Sequence, residues 1–103
     1  MSDVQQRIDS IVKGGRVVLF MKGTAQFPQC GFSCRAIQVL KASGVKELRT
    51  VNVLEDDEIR QGIKEYANWP TIPQLYIDGE FVGGSDIMME MYQSGELQQL
   101  INK

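Results

Sequence analysis

Read from its start, the chain first places hydrophobic residues at helical spacing: Val4, Ile8, Ile11 and Val12 share one face. Ser2 followed by Gln5 forms a capping box before that helix, and Gly14-Gly15 ends it. Val17-Val18-Leu19-Phe20-Met21 follows Arg16 as a nearly continuous apolar run, the pattern of a strand buried on both faces. Residues 22–29 read as a loop leading to Cys30. Ala36, Ile37, Val39 and Leu40 then mark a helix from Phe32 to about Lys41 that closes near Ser43-Gly44. A second strand is expected from Leu48 to Val53, and Asp56-Asp57-Glu58 opens a helix with acids where its dipole favours them. Ile59, Ile63 and Tyr66 form its inner face until Trp69-Pro70-Thr71-Ile72-Pro73 breaks it. Gln74 to Ile77 reads as a strand, Asp78-Gly79 as a two-residue hairpin turn, and Glu80-Phe81-Val82 as the returning strand. Gly83-Gly84-Ser85-Asp86 begins a helix to about Gln93, and Glu96 to Ile101 makes a last short one.

The order α-β-α-β-α-β-β-α-α contains two crossover units followed by a hairpin. It predicts an α/β protein with a four-stranded mixed sheet flanked by helices, the order of a thioredoxin-like fold. The 103 residues, 43% of them hydrophobic, suffice for one core, and no linker or repeat divides them, so residues 1–103 are expected to form a single domain. Eleven basic against thirteen acidic residues leave a net charge of −2. That balance argues against electrostatic binding of nucleic acid or of a membrane surface. The polar, amphipathic start lacks the apolar stretch of a secretion signal, and no apolar run approaches the roughly 20 residues of a membrane span. Two cysteines beside an adequate core point to a reducing cytoplasm.

The chain has no histidine. Ser/His and Cys/His catalytic pairs and histidine-containing zinc sites are thereby excluded, and two cysteines cannot fill a four-thiolate metal site within one chain. The chemistry that remains centres on Cys30. It follows a buried strand and starts a helix, where ligands collect in open α/β sheets and where free amides and the helix dipole favour a thiolate. Lys22, at the strand's end, adds positive charge, and Gly31 leaves room for a ligand to approach the backbone. Cys34 stands at C-x3-C spacing, unlike the C-x-x-C of a dithiol oxidoreductase. It is either a resolving thiol or a packing residue.

Lys22, Cys30-Gly31-Phe32-Ser33, Trp69-Pro70-Thr71-Ile72-Pro73 and Gly83-Gly84-Ser85-Asp86 together resemble a monothiol glutaredoxin of the CGFS class, of the bacterial single-domain type. The resemblance runs over essentially the whole chain. Two positions depart from many relatives: a cysteine stands at Cys34 where they lack one, and Ser85 stands where many carry cysteine.

The resemblance implies a glutathione site. Lys22 and Arg60 suit the glycyl carboxylate, although each could equally be a solvated surface charge. Thr71-Ile72-Pro73 looks like the family's cis-proline loop, whose Ile72 backbone would pair with the cysteinyl part of glutathione; the alternative is a trans turn. Ser85 and the amides that open its helix suit the γ-glutamyl carboxylate, with Asp86 beside the ammonium; as a structural role, both residues suit N-caps. Trp69 reads as a brace for its loop, and Phe32 as a cover for ligand or partner. The resemblance further implies a [2Fe–2S] cluster bridging a homodimer, held by Cys30 of each subunit and two glutathione thiols. Cluster storage and transfer is then the expected function, with iron–sulfur scaffold proteins, acceptor proteins and a BolA-like protein as partners. The alternative is glutathione-dependent thiol–disulfide exchange with Cys30 as nucleophile and Cys34 as resolving thiol.

Overall fold

The computed structural model describes residues 2–103. Helix α1 is Asp3–Lys13, strand β1 Val17–Met21, helix α2 Gly31–Ala42 and strand β2 Leu48–Asn52; a 3-10 turn, Val53–Glu55, leads into helix α3, Asp57–Tyr66. Strands β3, Gln74–Ile77, and β4, Glu80–Gly83, form a hairpin followed by helices α4, Ser85–Ser94, and α5, Glu96–Ile101. The sheet order is β2-β1-β3-β4, with β1 and β2 parallel and the other pairs antiparallel. This is the four-stranded mixed sheet of a thioredoxin-like fold.

Strand β1 explains why its apolar run is unbroken. Its five residues are all buried, and successive side chains leave opposite faces of the sheet. Val17, Leu19 and Met21 pack with α2, α4 and α5, whereas Val18 and Phe20 pack with α1 and α3. Strand β3 repeats the division, sending Leu75 and Ile77 one way and Tyr76 the other. Each large apolar side chain buried in this way contributes about 1.5–3 kcal/mol. A one-residue register slip would exchange both faces, so the register is held and the end of β1 is fixed in space.

Three local departures from the sequence pattern have physical causes. Ser2 accepts a hydrogen bond from the Gln5 amide at 3.2 Å, but the Gln5 side chain donates to the Gly62 carbonyl at 2.9 Å. Half of the capping box is thus exchanged for a bridge from α1 to α3. Strand β2 stops at Asn52, one residue short of expectation, because the Asn52 side-chain amide oxygen accepts from the Leu54 amide at 3.0 Å and starts the 3-10 turn. Helix α2 begins one residue earlier than expected, with Cys30 itself as the N-cap. The hairpin turn is as expected: Asp78 and Gly79 have φ of 53° and 81°, the left-handed pair of a type I′ turn.

Two carboxylates clasp α1 to α3. Asp9 accepts from the Tyr66 hydroxyl at 2.6 Å, and Asp56 pairs with Arg7 at 2.7 Å while capping α3 through the Glu58 and Ile59 amides. The Tyr66 hydroxyl, aided by Lys13, holds the Asp9 carboxyl below its usual range; the Arg7 guanidinium and the Ile59 amide do the same for Asp56. Burial and Asp9 push the Tyr66 phenol up to about 12. A depressed carboxyl pKa contributes stability above the unfolded value and loses it as pH falls through the folded one. Urea midpoints of the wild type should therefore fall on acidification, and those of an Asp9→Asn, Asp56→Asn double variant should start lower at neutral pH and converge with them in acid. A gap that stays constant from neutral to acid pH would contradict this assignment.

Candidate functional site

The site forms where the end of β1 meets the start of α2. Cys30 has an extended backbone, φ −150° and ψ 155°, which turns its side chain over the first turn of the helix it caps. Its sulfur accepts from the Ser33 amide at 3.3 Å and lies 3.4 Å from the Ser33 hydroxyl oxygen. Ser33 is fully buried, and its hydroxyl oxygen also accepts the Lys22 backbone N–H at 3.0 Å. That strand amide occupies an acceptor site of the hydroxyl and leaves its proton free for the sulfur once the thiol ionises.

Burial of Cys30 opposes ionisation. The Ser33 hydroxyl, the Ser33 and Phe32 amides and the Lys22 charge outweigh it together, and the thiol is held below its ordinary value. The same donors that cap α2 thus stabilise a thiolate on a half-exposed sulfur. Cys34 is also free and half-exposed, and it belongs to neither apolar cluster. Its amide donates to the Cys30 carbonyl at 3.0 Å in ordinary helical fashion, so the first turn is regular.

A groove of about 370 Å³ runs beside this cysteine. Lys22 and Phe32 line one side, Trp69-Pro70-Thr71-Ile72-Pro73 another, and Gly84, Ser85, Asp86 and Ile87 a third. The Ile72–Pro73 bond is cis, as the resemblance implies. Ile72 lies outside the strands, and among the described residues its N–H and C=O have no hydrogen-bond partner. Ser85 is 8% exposed and is the first residue of α4, whereas Gly84 holds the N-cap position without any side-chain cap. The N-cap role for Ser85 and Asp86 is therefore not the one they play; the opening amides of α4 lack a side-chain acceptor and border the groove. Glycine at 84 lets the backbone approach Trp69 closely: a Cβ there would lie 3.3 Å from the indole nitrogen, tight enough that the ring would have to shift.

The structure thus brings Lys22, Ile72, Ser85 and Asp86 to one groove beside Cys30. Arg60, half-buried on α3, is not among the lining residues; Lys64, one turn further along the same helix face, is. Phe32 lines the groove and is 58% exposed, and a Cβ on Gly31 would meet no atom within 4 Å, so the backbone next to Cys30 borders open space. Trp69 both braces and lines: its ring lies 5.5 Å from that of Phe81 and its edge faces the groove wall at Gly84.

Four contributors escaped the sequence reading. Lys64 could have been found from its spacing to Arg60. Ser33 was legible only as the replacement for a second thiol, not as a holder of the first. Asn52 ties the loop before Cys30 to β2 by accepting from the Gly23 amide at 2.9 Å. Gln74 supports the Trp69–Pro73 segment from beneath, and a polar residue opening an apolar strand was its only signal.

Replacing Ser33 by alanine removes the hydroxyl from the sulfur and leaves the Lys22 amide unpaired. The Cys30 pKa should rise, and alkylation at neutral pH should slow severalfold with the pH–rate profile displaced to alkaline pH. An unchanged profile would show that the hydroxyl does not hold the thiolate.

Residues 17–82 match the glutaredoxin family. An uncharacterized monothiol glutaredoxin, ycf64-like, of Synechocystis is 58% identical over 96% of this chain and 92% of its own. Glutaredoxin 4 of Escherichia coli is 48% identical over all of this chain and 89% of its own. Among solved structures, reduced poplar apo GrxS14 superposes with a TM-score of 0.82 at 54% identity, covering 96% of this chain and 90% of that one. The cysteine at a helix start, the cis-proline loop and these relatives lead to one assignment: the chain belongs to the glutaredoxin family, in its monothiol CGFS class.

Proposed function

We propose that this protein binds glutathione in the groove and carries a [2Fe–2S] cluster between a donor scaffold and acceptor proteins, as a cluster-bridged homodimer. The observation that carries the reading is the lone sulfur at Cys30. Its partner in the first helical turn is a hydroxyl, not a second thiol. No group of three or more His, Cys, Asp or Glu side chains is gathered for a metal among the described residues. A [2Fe–2S] cluster takes four ligands, usually thiolates. Cys30 from each of two chains and the thiols of two glutathiones supply them, and a cargo held half by exchangeable small molecules can be released.

The groove has the charges this ligand needs. Lys22 and Lys64, with Arg60 at longer reach, suit the glycyl carboxylate. The unpaired backbone of Ile72 suits strand-like pairing with the cysteinyl unit. Ser85 and the open amides of α4 suit the γ-glutamyl carboxylate, and exposed Asp86 suits the ammonium. Residues 1–103 act in this reading as one domain. A BolA-like protein is proposed as a regulatory partner, and a reducing cytoplasm as the working compartment. No helix among the described residues is long and apolar enough to cross a membrane.

A second reading rests on the lowered Cys30 pKa. A thiolate there attacks a glutathione mixed disulfide on sulfur and expels the protein thiolate, and a second glutathione then regenerates Cys30. Cys34 could take that resolving step by attacking Cys30 sulfur and expelling glutathione, although the regular first turn of α2 would have to open.

Anaerobic assembly with iron and sulfide, with and without glutathione, separates these readings by visible absorption and gel filtration. Carriage predicts a coloured dimer only when glutathione is present, no colour from Cys30→Ser, and unchanged yield from Cys34→Ser. A colourless monomer under every condition would sink it. Rapid turnover of a glutathionylated protein, abolished by Cys34→Ser, would establish the dithiol enzyme instead.

A further inference from the structure

The groove wall from Trp69 to Pro73 has no regular secondary structure, so something other than a backbone ladder must set its shape. The strongest tie to it on the interior side is Gln74. This side chain is fully buried at the start of β3, and polar groups in that position cost free energy unless each is paired. Gln74 pairs both ends. Its Nε2 donates to the Trp69 carbonyl at 3.1 Å and to the Thr71 carbonyl at 3.2 Å, and its Oε1 accepts from the Tyr76 hydroxyl at 2.8 Å.

The orientation of the amide follows from its partners. Two carbonyls can only accept, so the nitrogen must face them, and the Tyr76 hydroxyl must then donate to the oxygen. Tyr76 is 1% exposed and wedged among Phe20, Tyr66 and Phe81, with ring centroids 5.5–5.9 Å away. A rigid aromatic core therefore fixes one carboxamide, and that carboxamide fixes two carbonyls of the wall, on either side of Pro70 and directly before Ile72.

We infer that Gln74 is a positioning residue for glutathione. It touches no ligand, but it sets the wall that presents the Ile72 backbone to the groove. The inference rests on glutathione occupying this groove. An amide to aliphatic change at position 74 leaves the Trp69 and Thr71 carbonyls without their buried donor, and the wall can then leave the geometry that the ligand requires. Cys30 should be insensitive to this change, because its thiolate depends on Ser33 and Lys22, on other elements.

Glutathione binding by the wild type, Gln74→Leu and Gln74→Glu tests this, with Leu97→Ala as a control that opens the opposite apolar cluster without touching the loop. Gln74→Glu keeps the size of the side chain and an acceptor for Tyr76 while leaving at most one donor, on a protonated carboxyl, for two carbonyls, and it serves if Gln74→Leu does not fold. Trp69 is the only tryptophan and lies in the wall, so its fluorescence reports the loop directly. Both Gln74 variants should bind glutathione roughly tenfold or more weakly with altered Trp69 emission, and the pH profile of Cys30 alkylation should stay that of the wild type. Leu97→Ala should lower the urea midpoint and leave glutathione affinity unchanged. If folded Gln74 variants bind like the wild type, or weaken only as far as Leu97→Ala does, Gln74 is structural and the inference fails. If the wild type itself does not bind glutathione, the proposed function fails first.

Discussion

One buried hydroxyl joins the two halves of the site. Ser33 lies in the first turn of α2, and its oxygen takes the Lys22 amide, one residue past the end of β1, while lying against the sulfur of Cys30, the helix N-cap. A strand-end amide in the interior would cost free energy if left without an acceptor, on the order of 1–3 kcal/mol. The hydroxyl that removes this cost is thereby locked in the one place from which it can stabilise a thiolate. Structure and reactivity therefore share a single side chain. A cysteine at that position could not make the same bond to the Lys22 amide with equal strength, since sulfur is a weak acceptor.

The irregular segments around this point are held by side-chain amides. Asn52 accepts from Gly23 and from Leu54, fixing the loop before Cys30 to the end of β2. Gln74 donates to Trp69 and Thr71, fixing the wall opposite. Each amide leaves a different strand of the same sheet, and the sheet is rigid because its two central strands are packed on both faces. The groove is thus bordered by a framework that, among the described residues, places no charged side chain in the core, while Lys22, Lys64 and Asp86 line the groove and remain in contact with solvent. Salt would weaken the attraction of the two lysines for a carboxylate ligand.

Most of the fold was legible because hydrophobic period and turn chemistry agree with each other. The buried run of β1, the Asp78-Gly79 turn and the acidic opening of α3 each allow one local answer. The exceptions lie where a side chain bonds across the sequence. The Gln5 side chain prefers Gly62 on α3 to its own capping box, and Asn52 ends β2 to serve the neighbouring Leu54 amide and the distant Gly23 amide. At the site, the motif residues were visible as types, and the groove gathers Lys22, Ile72, Ser85 and Asp86. Lys64 and Gln74 were not singled out, since a helix-surface lysine and a strand glutamine gain meaning only when tertiary packing brings the one to the groove and the other beneath its wall. Arg60 carried the same expectation as Lys22, yet its position on α3 leaves the lining role to Lys64.

The scarcity of ligands in the sequence follows from this arrangement. With no histidine in the sequence and a hydroxyl at position 33, each chain offers few soft ligands, and the proposed cluster would draw its remaining ligands from a second chain and from glutathione. Native mass spectrometry of the anaerobically assembled, coloured species reads the ligand count of the proposed dimer directly. A cluster-bridged dimer has a mass equal to two chains, one [2Fe–2S] unit and two glutathiones, with Cys34 still open to alkylation. A cluster-bearing species without glutathione, or one in which Cys34 is protected as a ligand, would contradict it.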